Sequence, residues 1–186
     1  MSAETTAVSL TSSFYLNKYY NANRSCTSTS GRRDFEDCEL IYEDSRALRK
    51  AARHVGSFAF DEENETVDNI LCSIEAYTET YNNAIDSADA VDDTNTKRYE
   101  KQLKNLTSKY ADELEDIGIT IGDDGKLSVS TSLLSAVDFD KVKKAFSGDS
   151  TYMKQASSLA KQMNRAANDY IYAQMTGNGL RLNISL

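Results

Sequence analysis

Apolar residues recur every three to four positions along most of this 186-residue chain, which is the spacing of amphipathic α-helices. A first helix is predicted to begin at Asp34, a candidate N-cap, and to end at Gly56 in a left-handed conformation. A second helix is predicted from about Glu63 to Ala90. Its apolar face includes Ile70, Ile74, Tyr77 and Tyr81.

A third helix is predicted after a short turn, with Thr94 or Asn95 as its N-cap. Its apolar face continues at heptad-like spacing and includes Leu103, Leu106, Tyr110 and Leu114. Because the second and third helices have matching apolar faces and a short connection, they are expected to form an antiparallel helical hairpin. The apolar faces of the two helices form the candidate packing and interaction seam.

A β-hairpin is predicted directly after the third helix. Gly118 is expected to stop that helix, and the next residues alternate apolar and polar on both sides of a Gly-Asp-Asp-Gly turn. Asp124 and Gly125 form the turn, because Gly accepts the positive φ that a tight hairpin turn requires. The same Asp-rich run lacks the spaced ligands and distal Glu of a calcium loop.

Two further short helices are predicted, one capped by Ser130 or Thr131 and one capped by Asp138, before a last long helix. The whole pattern predicts a mainly α fold: an elongated antiparallel helical bundle or coiled coil with one small β-hairpin at about 119–129. Residues 1–33 are rich in Ser, Thr and Asn and are expected to form a flexible arm. Residues 34–186 are expected to form the bundle domain with its hairpin insert.

Charge limits the classes of partner. The formal net charge is −8, whereas nucleic acids and anionic membrane surfaces both attract basic proteins. The apolar runs are also too short to cross a bilayer, so neither nucleic-acid binding nor membrane insertion is expected. No Lys or Arg occurs between Gly56 and Thr96. That acidic stretch has two interpretations: a solvated face, or a face that pairs with later basic segments and with the first helix through Arg46, Arg49, Lys50 and Arg53.

Catalytic chemistry is not indicated. The single histidine, His54, lies near a helix end, where a protonated ring is favoured by the helix dipole. The three cysteines, Cys26, Cys38 and Cys72, form no metal-binding spacing, and Cys72 is expected in the core. No catalytic, metal-binding or cofactor-binding residue is therefore predicted, and the chain is expected not to be an enzyme. The eleven tyrosines suit helix packing or a protein interface.

Three segments together resemble the C-terminal region of the bacterial flagellar filament-capping protein (hook-associated protein 2). They are VDNILCSIEAYTETYNNAI at 67–85, LEDIGITIGDDGKLSVSTSLLSAV at 114–137 and VKKAFSGD at 142–149. The resemblance covers roughly residues 40–176 and does not include the β-rich middle domains of that family.

This resemblance implies a structural assembly protein that acts through helical self-association. Its implied partners are flagellin-like or hook-associated proteins, or further copies of the chain. Its implied location is the extracellular flagellum, reached by export without a cleaved signal. The alternative is a cytoplasmic helical adaptor or an export-chaperone-like module that binds another protein.

Overall fold

The fold is mainly α with one small β-hairpin, as the sequence predicts. The computed structural model describes residues 35–58, 60 and 67–179, so the predicted arm at 1–33 and the predicted N-cap Asp34 lie outside the described residues. The elements of the described part are, in order, α1 Asp37–Val55, α2 Val67–Ala90, α3 Thr94–Lys109, α4 Ala111–Glu115, β1 Ile119–Ile121, β2 Leu127–Val129, α5 Thr131–Leu134, α6 Phe139–Phe146 and α7 Thr151–Gly179.

Helices α1, α2 and α3 run alternately up and down. The Ser87 hydroxyl near the end of α2 donates a hydrogen bond to the Asp44 carboxylate in the first half of α1, so these helices are antiparallel. A turn of three residues then reverses the chain, and the Lys104 ammonium of α3 reaches back to the Asp89 carboxylate at 3.5 Å. The long helices therefore stand side by side with their apolar faces turned inward.

Helix α7 closes the arrangement into a four-helix bundle. Near its start, the Tyr152 ring lies 5.4 Å from the ring of Tyr110, at the end of α3. Further along, the Asn164 side chain donates to the Ser45 hydroxyl of α1 at 3.2 Å. Since α7 is antiparallel to both α1 and α3, the four helices enclose one continuous core.

The first and last helices approach closely at one end of the bundle. Gly56 follows α1, Gly148 precedes α7, and a Cβ built on Gly148 would lie 2.2 Å from the Gly56 carbonyl oxygen. Gly56 itself has φ −67°, so the expected left-handed conformation there is wrong. Position 148 therefore has to be glycine, because the two backbones are in contact there.

Helix ends follow local chemistry, with two corrections to the predicted caps. Glu36 is the N-cap of α1, and its capping box is completed by Glu39, whose carboxylate accepts from the Glu36 N–H at 3.1 Å. Asp93, rather than Thr94 or Asn95, caps α3, because its carboxylate accepts from the N–H of Thr96 at 2.7 Å. The predicted Asp138 cap of α6 is confirmed by a bond from the Asp140 N–H.

The predicted third helix is two helices, α3 and α4, separated at Tyr110. Tyr110 has φ −106° and ψ 20°, which lies outside helical geometry. The expected pairing of α2 with α3 is antiparallel as predicted, but α3 packs more extensively on α7 than on α2. The heptad-like spacing of α3 therefore reflects contact with the last helix as much as contact with its neighbour in sequence.

The connector after α1 contributes aromatic side chains to the core. Phe60 lies in the core at 2% exposure, and Phe58 packs partly buried against it. Within the described ranges, no helix has both the length and the apolar character needed to cross a bilayer.

We expect Gly148→Ala to lower the free energy of unfolding by about 1–3 kcal/mol, because the new Cβ would overlap the Gly56 carbonyl and force the backbones apart. Ser147→Ala, at the preceding position, is the matched control, because it adds no atom next to Gly56. Urea unfolding followed by far-ultraviolet circular dichroism measures both variants, and equal stability of the two would contradict the close approach.

Candidate functional site

The predicted seam lies inside the bundle. Six of its residues are at most 1% exposed: Ile70, Ile74, Tyr77, Tyr81, Leu103 and Leu114. Leu106 is 6% exposed, and Tyr110 packs partly buried against the same core. The structure thus brings all eight residues together as packing within one chain. Whether they also contact another molecule stays a prediction, and contact with a partner would have to use other, exposed residues.

Buried tyrosines join opposite helices through their hydroxyls. Tyr77 of α2 and Tyr152 of α7 have their Oη atoms 3.1 Å apart, and Phe146 of α6 lies edge-on to both rings. Burial raises the pKa of Tyr77 well above the usual tyrosine value, and burial also raises the pKa of Tyr152. Both phenols are therefore neutral at physiological pH, and one donates to the other without placing a charge in the core.

The β-hairpin forms where the sequence predicts it. Strands β1 and β2 pair antiparallel, with Thr120 opposite Ser128. Gly125 has φ +79°, and the Asp124 carboxylate accepts from the N–H of Lys126 at 3.0 Å, which closes the turn. The exposed Asp124 therefore shapes the turn.

Gly118 has a second role beyond ending a helix. Its φ is +83°, and a Cβ there would lie 2.7 Å from the Cβ of Leu133. Its carbonyl oxygen also accepts from the N–H of Ser130 at 2.8 Å, at the open end of the hairpin. Gly118 thus turns the chain from α4 into β1 and lets α5 pack tightly against that turn.

One asparagine fastens the hairpin to α2. Asn82 Nδ2 donates to the Leu127 carbonyl oxygen at 2.7 Å, and Asn82 Oδ1 accepts from the Leu127 N–H at 2.8 Å. The amide side chain therefore takes the place of a neighbouring strand at the outer edge of β2. Next to it, Tyr81 Oη donates to the Gly125 carbonyl oxygen at 3.2 Å. Sequence reasoning missed this contact, since helical periodicity gives no indication of which polar side chain will meet a strand edge.

Ion pairs surround the docked hairpin. Lys126 Nζ lies 2.7 Å from the Asp86 carboxylate of α2, and Lys104 Nζ lies 2.6 Å from Glu100 and 3.5 Å from Asp89. The acidic second helix therefore pairs with later lysines, which is one of its two predicted interpretations. On α1, Arg46 lies 3.4 Å from Glu43 of its own helix.

A groove runs between α3 and α7. Its volume is about 470 Å³, and two leucines at its base are flanked by amide and hydroxyl side chains. The lining residues are Gln102, Asn105, Leu106, Lys109, Gln155, Ser158, Leu159 and Gln162. Such a lining offers hydrogen bonds and apolar contact, but no pair of groups suited to proton transfer.

The remaining candidates for chemistry are separated from one another. Cys72 is exposed, so the expectation that it lies in the core is wrong: it points to solvent from the outer face of α2. Burial and the nearby Glu75 and Asp68 raise the pKa of its thiol, which disfavours the reactive thiolate. His54 packs edge-on to Phe58 at 4.9 Å. Across the described ranges, no three His, Cys, Asp or Glu side chains are placed to hold a metal ion.

We expect Asn82→Ala to lower the free energy of unfolding by about 2–3 kcal/mol, because it leaves the Leu127 N–H and carbonyl without their partners. The neighbouring Asn83→Ala is the matched control, since the side-chain nitrogen of Asn83 is buried without a hydrogen-bond partner. Chemical denaturation compares the two, and hydrogen exchange at Leu127 reports the hairpin directly. If both variants lost equal stability, the docking role of Asn82 would be refuted.

We expect stability to fall at alkaline pH because of the buried tyrosines. The folded pKa values of Tyr77, Tyr81 and Tyr152 are raised by burial, so their stabilising effect is complete below the unfolded value near pH 10 and declines above it. The expected loss is up to about 1.4 kcal/mol per pH unit for each buried tyrosine.

Urea unfolding of the wild type at about pH 8 and about pH 11 measures this loss. Tyr77→Phe should reduce it, because a phenylalanine cannot ionise in the unfolded chain. Tyr172→Phe, at a side chain that is 66% exposed, should leave it unchanged. An identical pH dependence in all three proteins would show that the buried phenols do not cause the loss.

No known protein family matches the chain, and neither characterised proteins nor solved structures gave a match. Within the chain itself, the segments 67–85, 114–137 and 142–149 lie together. The hairpin bonds to Asn82 of the first segment, and Phe146 of the third packs against Tyr77 of the first. The candidate site is this docked hairpin with the helices that hold it.

Proposed function

We propose that this chain is a structural protein without enzymatic activity, of the flagellar-cap or hook-associated kind, which acts by assembling with copies of itself or with other filament proteins. The observation that carries the proposal is the double hydrogen bond between Asn82 and Leu127. It joins two of the three segments that together resemble the capping family, so those two segments form one structural unit.

The surface beside the hairpin supports an assembly role. Leu133 is 57% exposed, although it sits against the turn at Gly118, and Phe35 at the opposite end of the bundle is 46% exposed. Apolar side chains occupy the centre of protein interfaces, so an exposed leucine beside the hairpin is available to a partner. Leu133 belongs to α5, which follows β2 directly and packs against the turn at Gly118, so the docked hairpin would hold it in a fixed orientation.

The proposal includes a location. An assembly protein of this kind would be exported without a cleaved signal and would act at the extracellular flagellum, with flagellin-like or hook-associated proteins as neighbours. Export through the flagellar apparatus requires the chain to leave the cytoplasm only when that apparatus is present.

A second candidate is a helical adaptor or export-chaperone-like module in the cytoplasm. The groove between α3 and α7 favours it, because Leu106 and Leu159 form an apolar base flanked by amides that could bond to an extended peptide. In this case the chain would bind a single protein segment, and copies of the chain would not associate.

We expect the purified chain to form oligomers at concentrations of roughly 10–100 μM, the range of weak specific association. Size-exclusion chromatography with light scattering measures the mass against the 20.7 kDa monomer. Leu133→Glu should weaken the association by about tenfold, because it places a charge in an apolar contact. The neighbouring exposed Ser135→Glu is the matched control.

Three outcomes separate the candidates. A 20.7 kDa monomer at every concentration would overturn the assembly role. Secretion that stops when the flagellar export apparatus is deleted would support the flagellar location. Retention in the cytoplasm together with capture of one secreted protein, lost on Leu159→Glu in a protein that stays folded, would establish the adaptor instead.

A further inference from the structure

Neighbouring helices α1 and α7 carry basic side chains on adjacent outer faces. Residues 45–60 and 150–168 contain no Asp or Glu, although the chain as a whole has a net charge of −8. Four of the basic side chains in these stretches have no carboxylate within ion-pair distance in the described part of the chain. This set, called the basic face below, consists of Arg49, Arg53, Lys161 and Arg165.

The basic face is not organised by contacts within the chain. Arg53, Lys161 and Arg165 are exposed, and the Nε of Arg49 is buried without a hydrogen-bond partner. The two helices hold these side chains side by side because Asn164 bonds to Ser45 between them.

Helix α2 carries the opposite charge on its outer face. Four carboxylates recur at helical spacing along one stripe, called the acidic stripe below: Asp68, Glu75, Glu79 and Asp86. Asp86 pairs with Lys126, and Glu75 accepts from the Thr131 hydroxyl at 2.8 Å. Asp68 and Glu79 have no basic partner among the described residues.

The basic face and the acidic stripe lie on different helices. Helix α7 packs on α1 and α3, while α2, which packs on α1, occupies the remaining corner. Within the described part of the chain, no ion pair joins the basic face to the acidic stripe. The two surfaces are complementary in sign, both lie on rigid helices, and each includes charged groups without an ion-pair partner among the described residues.

We propose that the basic face of one copy docks on the acidic stripe of a second copy, side by side, and that this contact drives the assembly. The inference rests on the proposed function, since it names the surfaces through which the chain associates. The contact uses two different patches, so each added copy still presents one free patch of each sign. Such a heterologous contact closes into a ring or continues as a filament.

Charge reversal tests the contact. The variant Arg53→Glu/Lys161→Glu/Arg165→Glu places like charges against the acidic stripe and is expected to weaken association by about 100-fold or more. Lys97→Glu/Lys101→Glu/Lys143→Glu is the matched control, with the same change in net charge at exposed lysines outside the basic face. Sedimentation velocity measures the mass of each protein, and wild-type assembly should weaken as salt rises from about 50 to about 500 mM.

Reversing the other surface provides a rescue. Asp68→Lys/Glu79→Lys should fail to assemble alone, because lysines then replace the two carboxylates of the stripe that have no basic partner among the described residues. Mixed with the triple-reversed basic-face variant, whose surfaces are both acidic, it should form complexes that contain both proteins. Circular dichroism confirms that each variant is folded before mixing.

The outcomes separate this inference from the proposed function. If the wild type assembles but the basic-face variant assembles equally well, or if the control variant is weakened to the same extent, the charged contact is refuted and the assembly role remains. If the mixture shows no complex, the pairing of these two surfaces is also refuted. If the wild type is monomeric in low salt, both proposals fail.

Discussion

The packing of the last helix against the first is the contact on which the rest of the structure depends. Asn164 reaches Ser45 across 119 residues of sequence, and Gly148 meets Gly56 with no space for a side chain. Without this contact, the inner faces of α1 and α3 would be exposed to water, because α7 covers both of them. A bundle closed in this way costs more chain entropy to form than a pair of adjacent helices, so its stability comes from the shared core.

Closure also determines where the inserted segment can go. Tyr110 directly follows α3, and Tyr152 lies in the first turn of α7. The centroids of their rings are only 5.4 Å apart. Residues 111–150 therefore leave the bundle and return to it at the same point. Because the insert starts and ends at fixed positions, Asn82 and Tyr81 can hold its hairpin against α2. The docked hairpin is a consequence of bundle closure combined with two side chains of α2.

The features that the sequence predicts are those set by neighbouring residues. The turn at Asp124 and Gly125 depends on one positive φ and one side-chain bond within two residues, so local chemistry specifies it. The Asp138 cap is local in the same sense. The wrong N-cap of α3 is also a local matter. Three consecutive polar residues could cap this helix, and Asp93 does so because its carboxylate reaches the Thr96 N–H.

The features that the sequence does not predict depend on distant partners. Helical periodicity identifies an apolar face but not the helix that will cover it, so α3 was expected on α2 and lies mainly on α7. The prediction that Cys72 is buried failed for a related reason. A shift of one residue along α2 moves a side chain from the core side of the helix to its solvent side. The role of Asn82 requires knowledge that β2 passes beside it, which only the folded chain provides.

The distribution of charge is not explained by the stability of the fold. Exposed ion pairs contribute little, and the strongest pairs here, Lys126 with Asp86 and Lys104 with Glu100, already serve to hold the hairpin and α3. A surface shaped by solubility alone would intersperse the two signs, as most globular surfaces do. Instead, two acid-free stretches that are distant in sequence become neighbours on folding, opposite in sign to the face of α2. Like charges placed side by side raise the energy of the isolated molecule, and this cost is the physical argument for the proposed contact with an acidic surface.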